Sequence, residues 1–466
     1  MLPRSFIFIA ASLALFASAK EKPNIIYILA DDLGYNDLGC FGQKQLETPN
    51  IDALAARGMK LTRHYSGSTV CAPSRCVLLT GKHTGNATVR GNGLVLLKPT
   101  DITIAQKLKE VGYATGCFGK WGVGHPPARD EPNHFGFDQF FGYVNMFHAH
   151  NFYPEFLIED GELFPLNNQI DDPWKENPDY HLGGVKEGTG VAKVKNDYAP
   201  HFITSRALDF IEENAAQPFF LYFALNMPHT NNEAGREPYR NGMEVPDYGK
   251  FAAEDWPDPE KGFAEMMRIV DDYVGQIVAK LEEQGISENT LILFSSDNGP
   301  HEEGQHLVEF FDSNGELRGK KRDLFDGGIR VPTIATWQGQ IEAGTESDIL
   351  SGFQDVFPTL ADVAGFELPD DLDGVSLLPT LQGKPADQQH HEFLYWEFLE
   401  RGGKKAVTSK KWKAIQLDTL KPNPLPTLLF DLEADPSEAI DVAADHPEVV
   451  QQMERWIEES HTPLTP

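Results

Sequence analysis

Asn24-Ile25-Ile26-Tyr27-Ile28-Leu29-Ala30, followed at once by Asp31-Asp32-Leu33-Gly34, is the stretch from which the rest of the chain can be read. An uncharged, largely apolar run of this length, with three isoleucines, predicts a strand buried on both faces. Two further segments repeat the arrangement. Phe219–Leu225 (FFLYFAL) lies shortly before His229, and Leu291–Ser296 (LILFSS) runs directly into Asp297-Asn298. Helical patterns separate these strands: Pro49–Arg57 opened by Thr48, Ile104–Val111, and His201–Asn214. Phe263–Leu281 is a fourth, with apolar residues at 263, 266, 267, 270, 274, 277, 278 and 281 in a stripe of helical spacing. Tyr113–Phe118 adds one more strand. Continuous apolar strands alternating with helices predict an α/β fold, a large mixed, mostly parallel sheet sandwiched by helices.

The outer regions read differently. Asn145–Pro200 is rich in Asn, Asp, Pro and Gly and is expected to be a long excursion with little regular structure. Beyond about Gln382 the pattern becomes short strands with turn residues between them: Phe393–Phe398, Lys405–Val407, Trp412–Gln416 and Leu428–Leu432, closed by a helix over Glu448–Glu459. The expected division is a large domain over residues 20–382 and a smaller C-terminal subdomain over 383–466, with an antiparallel sheet and a helix. At the other end, Arg4, the apolar run Phe6–Phe16 and the small residues Ala17-Ser18-Ala19 make residues 1–19 a signal peptide. That run is too short to span a bilayer comfortably, and no later segment approaches about 20 apolar residues. A periplasmic or secreted protein without a stable membrane anchor is expected.

Charge narrows the partners. The formal net charge is -30, which argues against nucleic acid as a main partner but not against an anionic substrate held by a few local cations. Four cysteines, Cys40, Cys71, Cys76 and Cys117, are too few for a disulfide scaffold in 466 residues.

Ligands in open α/β sheets bind beyond the carboxyl ends of the strands. Asp31, Asp32, His229, Asp297 and Asn298 all fall there, so three distant segments are expected to converge on one site. The hard oxygens of Asp31, Asp32, Asp297 and Asn298 suit calcium or magnesium better than zinc. Cys71-Ala72-Pro73-Ser74-Arg75 is the sharpest feature. Pro73 fits the first turn of a helix running through Leu79, whose positive N-terminal end would face the Cys71 side chain. Arg75 shares a helix face with Cys71, and together they form a cradle for a tetrahedral oxyanion.

Cys-x-Pro-x-Arg followed by Leu79-Thr80-Gly81 resembles the signature of the type I, formylglycine-dependent sulfatases of the alkaline phosphatase superfamily. Asn24–Gly34, Gly119-Lys120-Trp121, Ser296-Asp297-Asn298-Gly299 and the run from Leu317-Arg318-Gly319-Lys320-Lys321 through Asp326-Gly327-Gly328-Ile329-Arg330-Val331-Pro332 resemble further motifs of that family, in order. The resemblance implies that a formylglycine-generating or sulfatase-maturating enzyme oxidises Cys71. The hydrated product attacks sulfur in line, displaces the alcohol, then expels sulfate. It further implies calcium, rather than magnesium, held by Asp31, Asp32, Asp297, Asn298 and the modified Cys71. By motif position Arg75 holds the hydroxyls of the modified residue, Lys120 and Lys321 bind sulfate, and His229 is the general acid. Lys321 is chosen over Lys320 by its spacing from Asp326. Many relatives have histidine where this chain has Gly122, and His125 is a candidate replacement. His301, close after Asp297-Asn298, is expected to bind substrate. Asn231-Asn232 and Trp396-Glu397 are weaker candidates. A sulfated carbohydrate is the expected substrate. A phosphomonoester or phosphonate hydrolase and a non-catalytic sulfated-glycan binding protein are the alternatives.

Overall fold

A computed structural model of the chain describes residues 22–93 and 95–463, so the expected signal peptide lies outside the described residues. Asn24–Ala30 forms a strand buried along its whole length, at the heart of a ten-stranded sheet. It pairs in parallel with Phe219–Ala224 on one side and Thr290–Ser296 on the other. Phe219–Ala224 in turn pairs in parallel with Ala114–Gly124, and that strand with Gln139–Asn145. Outside this parallel centre the sheet is mixed. Thr333–Thr336 runs antiparallel to Thr290–Ser296 and to Met59–Leu61, and Phe156–Glu159 runs antiparallel to Gln139–Asn145.

Side-chain alternation divides the core into two layers. Ile26, Ile28, Leu221, Phe223, Ile292 and Phe294 point to one face, where helices Pro49–Ala56, Ala199–Asn214 and Asp258–Glu283 cover them. Ile25, Tyr27, Leu29, Phe220, Tyr222 and Leu293 point to the other, under Cys71–Thr80, Ile104–Glu110 and Val356–Ala364. Burial on both faces is why these strands read as continuous apolar runs. At about 1.5–3 kcal/mol for each fully buried large apolar side chain, this double layer is the main stabilising element. The expected sandwich is thus borne out.

One expectation fails. The stretch after Asn145 is more regular than its composition suggested: Phe156–Glu159 and Glu162–Pro165 form a hairpin that extends the main sheet. Its turn is Asp160-Gly161, with φ of 44° and 89°, and Asp-Gly between apolar strands is a hairpin signal.

The C-terminal part is a separate four-stranded antiparallel sheet of Leu394–Phe398, Lys404–Thr408, Trp412–Leu417 and Leu428–Asp431. Met453 and Ile457 of helix Pro447–Glu459 pack on one face against Tyr395, Val407, Ala414 and Leu429. The opposite face meets Tyr65, Val70, Leu324, Phe325 and Ile329, in the segments that lead into Cys71 and out of Lys321.

Candidate active site

The site is built at the carboxyl ends of the central strands. Asp31 and Asp32 follow Ala30, Asp297 and Asn298 follow Ser296, and the Asp31 and Asp297 amides donate to Met227 O (2.9 Å) and Ala30 O (3.0 Å). Asp32 takes φ 64°, a left-handed conformation that aspartate tolerates better than most residues. Its amide donates to Asp297 Oδ1 at 3.1 Å, stitching the two acidic turns together.

Helix Cys71–Thr80 is buried at every residue and stops at Gly81, whose φ of 70° favours glycine. Cys71 occupies its first position, and its Sγ lies within 4.8 Å of ligand oxygens of both Asp31 and Asp297. Arg75, fully buried, donates through Nε to Asp297 Oδ2 (2.9 Å) and through a terminal nitrogen to Lys120 O (2.6 Å). Its expected bond to the hydroxyls of a modified residue 71 is therefore joined by a second task, fixing the acid and the lysine backbone. Lys120 Nζ donates to Asp31 Oδ2 at 2.6 Å.

Lys321 Nζ donates to Asp32 Oδ2 (2.7 Å), His229 Nε2 (3.0 Å) and Glu303 Oε2 (3.2 Å). Lys320 instead pairs with Glu302, both partly exposed. The Lys321 loop is tightly located: Lys321 N donates to Pro300 O (2.9 Å), and Arg322 N to Thr69 O (2.9 Å). Asp326 anchors its far end, accepting from Lys413 Nζ (2.7 Å) and Tyr65 Oη (3.1 Å). Gly299 shows why glycine recurs here, because a Cβ on it would lie 2.0 Å from Gly327 O.

His229 Nδ1 lies 2.7 Å from Thr230 O, which fixes Nδ1–H as donor and turns the Nε2 lone pair to Lys321. Burial, then Lys321, hold the imidazole well below its ordinary pKa, so it is neutral here. Burial raises Asp31, but Lys120 and Arg75 more than offset it and keep the carboxyl ionised. Burial and the Asp31 charge push Asp297 up to about 7. Burial likewise raises the Cys71 thiol despite Lys120 nearby, which makes the unmodified side chain a poor thiolate nucleophile at neutral pH.

Asp31 Oδ1 and Asn298 Oδ1 are buried without a hydrogen-bond partner. Buried oxygens normally find one. The orphaned oxygens of Asp31 and Asn298, beside the carboxylates of Asp32 and Asp297, make a donor set that fits a hard divalent cation.

Other expected residues lie differently. His125 Nε2 meets Gly93 O at 3.3 Å and bonds to none of the residues above. Gly122 has φ 81°, and a Cβ there would lie 3.0 Å from Arg75 Cδ, so the position favours glycine. Both ring nitrogens of His301 are committed to backbone groups, Pro228 O (3.1 Å) and Glu303 N (3.0 Å), leaving none for a ligand in this arrangement. Asn231 is buried on Gly190 O and Glu244, while Trp396 and Glu397 are buried on Ser66 O and Arg90. Two neighbours had no assigned role: Glu303, beside Lys321, and His150, whose ring stacks on His229 at 4.7 Å and 12°. His150 gave only its nearness to an aromatic loop as a signal, and Glu303 only its place after His301.

Residues 23–366 match the family model described as Sulfatase, and residues 317–462 match N-sulphoglucosamine sulphohydrolase, C-terminal. N-acetylgalactosamine-6-sulfatase of Mus musculus is 33% identical over 410 residues, covering 83% of this chain and 71% of that protein. N-acetylgalactosamine-6-O-sulfatase of Bacteroides thetaiotaomicron is 29% identical over 512 residues, covering 95% of this chain and 94% of that protein. The solved structure of Ps i-CgsB in complex with k-i-k-neocarrahexaose is similar with a TM-score of 0.77 at 28% identity, over 94% of this chain and 92% of the other. Convergent strand-end acids, a buried cysteine at a helix start and a family match over most of the length agree: the chain belongs to the sulfatase family of sulfuric ester hydrolases.

Proposed function

We propose that this sulfatase removes sulfate from a carbohydrate, using a formylglycine made from Cys71 and a bound calcium ion. The observation that carries the reading is the placement of Cys71: a buried side chain at a helix start, facing Asp31 and Asp297, with Arg75 on its own helix. The carbohydrate class is supported by relatives that act on N-acetylgalactosamine 6-sulfate by name and by a similar structure holding a neocarrahexaose. Residues 20–382 form the catalytic domain in this reading, residues 383–466 the C-terminal subdomain, and residues 1–19 direct export to the periplasm or beyond. The partner it needs before it can act is a formylglycine-generating or sulfatase-maturating enzyme.

The oxidised residue 71 would supply, as its hydrate, the hydroxyl that attacks sulfur, and a bound cation would supply Lewis-acid polarisation of the sulfate ester. The protein does the rest. Asp31, Asp32, Asp297 and Asn298 would hold the cation, and Arg75 locks Asp297 in place. Lys120 and Lys321 leave their carboxylate partners to hold sulfate oxygens, offsetting charge that grows as the S–O bond lengthens. His229 delivers a proton from Nε2 to the departing alcohol oxygen. Its neutral state beside the Lys321 cation fits this role, because an arriving sulfate neutralises that cation and lets Nε2 take up a proton.

Peptide mass spectrometry of protein made with a maturating enzyme, alongside hydrolysis of a panel of defined sulfated sugars, tests the reading. Loss of mass at Cys71 matching thiol-to-aldehyde conversion, with release of inorganic sulfate, is expected. Full activity from unconverted Cys71 would refute the mechanism.

A further inference from the structure

Helix Cys71–Thr80 begins at Val70 without any side-chain cap of its own. The cap comes from elsewhere in the chain. Asn92 Oδ1 accepts from Ala72 N at 3.1 Å, and Asn92 Nδ2 lies 3.6 Å from Cys71 Sγ. Oδ1 accepts from Ala72 N and lies 3.8 Å from Cys71 Sγ, so the amide is oriented with Nδ2, at 3.6 Å, the nearer group to residue 71. Sulfur is a weak acceptor, whereas oxygen is a strong one. The site therefore aims a full-strength donor at an atom that hardly uses it while it is sulfur.

Asn92 is held by the C-terminal subdomain. Its backbone N donates to Glu400 Oε1 at 2.7 Å. Two residues earlier, Arg90 donates to Glu397 Oε1 (2.9 Å), Thr462 O (2.8 Å) and Ala87 O (2.8 Å). The loop is thus pinned on both sides of Gly91 by the strand Leu394–Phe398 and the turn after it.

We propose that Asn92 is a further catalytic residue: its Nδ2 donates a hydrogen bond to an oxygen of the side chain formed from Cys71, and Glu400 is the positioning residue that holds it there. The inference rests on the formylglycine reading above. In the hydrate, that bond orients the two hydroxyls so that one faces the substrate sulfur, and it favours the hydrate over the free aldehyde.

Asn92→Asp is the discriminating variant, since it keeps the acceptor for Ala72 N and removes the donor. Asn92→Ala removes both. Glu400→Gln keeps an acceptor for Asn92 N, and Glu400→Ala does not. Each is made with the maturating enzyme, its converted fraction at residue 71 measured by peptide mass, and kcat for a small aryl sulfate expressed per converted site. Both Asn92 variants are expected to lose at least tenfold in kcat. KM should stay within about threefold. Glu400→Ala should lose several-fold, and Glu400→Gln should restore near wild-type kcat. A second readout is labelling of the native residue-71 aldehyde by an aminooxy probe, expected to be at least threefold faster in Asn92→Asp. Wild-type kcat in folded Asn92→Asp or Asn92→Ala, or unchanged labelling, overturns the inference while leaving the sulfatase mechanism intact. A wild-type enzyme whose activity does not depend on converted Cys71 overturns the mechanism, and the inference with it.

Discussion

Exchanging Lys321 for methionine separates the roles of two adjacent lysines. Lys321 Nζ sits 2.7 Å from Asp32 Oδ2 and 3.0 Å from His229 Nε2, in a pocket that leaves the residue 6% exposed. Methionine keeps most of the volume and removes the charge. Losing a preorganised donor to a transferring oxyanion costs about 10²–10³ in kcat, or roughly 3–4 kcal/mol. Folding stability also falls, because one partner of a buried ion pair is gone, by about 3 kcal/mol. The bond from Asn298 Nδ2 to Asp32 Oδ1 (2.6 Å) limits that loss. Lys320 offers the internal control. Its surface pair with Glu302 is worth at most about 1 kcal/mol, so Lys320→Met should leave kcat within about twofold. Steady-state hydrolysis of a small aryl sulfate at saturating calcium and matched Cys71 conversion gives the ratio, and thermal unfolding gives the stability. Equal losses in the two variants, or Lys321→Met within about threefold of wild type, would show that Lys321 does not hold sulfate.

Two more outcomes are expected. Chelation should lower the melting temperature, and calcium at a hundred times its Kd should restore about 2.7 kcal/mol; Asn298→Ala should weaken calcium binding in calorimetry, because it removes one of the two orphaned oxygens. His64 is 1% exposed, and burial lowers its pKa from 6.5 to about 4. Between those values the unfolded chain takes up a proton that the folded one refuses. Its contribution is thus complete above pH 6.5 and falls by up to about 3 kcal/mol as the pH drops to 4. Denaturant midpoints from pH 7 to 4 should show a shallower slope for His64→Phe, and an unchanged slope would mean that His64 does not drive it.

The interior strands were legible because burial on both faces favours an unbroken apolar run, as in Ile25–Ala30 and Leu291–Phe294. Their ends were legible for the same reason: a carboxylate directly after such a run needs a special partner. Shorter and edge elements carry weaker signals. Met59–Leu61 and Thr333–Thr336 are too short to show a period. Ala114–Gly124 runs past its apolar start, because Gly119 and Gly122 interrupt the pattern while the backbone remains extended around Lys120. Gln139–Asn145 mixes aromatic residues with Gln139, Gly142 and Asn145 and shows no clean alternation. Side chains that act through one amide, like Asn92, leave no period and no charge pattern. Only the fold reveals that a loop twenty residues downstream returns to cap the helix.

The capped helix also sets an order of events. Cys71 is 2% exposed, and the loop beside it is tied to Glu397, Glu400 and Thr462, more than 300 residues further along the sequence. Those ties form only once residues 397–462 have been made and have folded. In the proposed mechanism, the maturating enzyme would therefore have to meet residue 71 earlier, as an extended segment of an unfolded chain. Under that mechanism, closure of the C-terminal subdomain would end the window, and a molecule that folds first would keep its thiol.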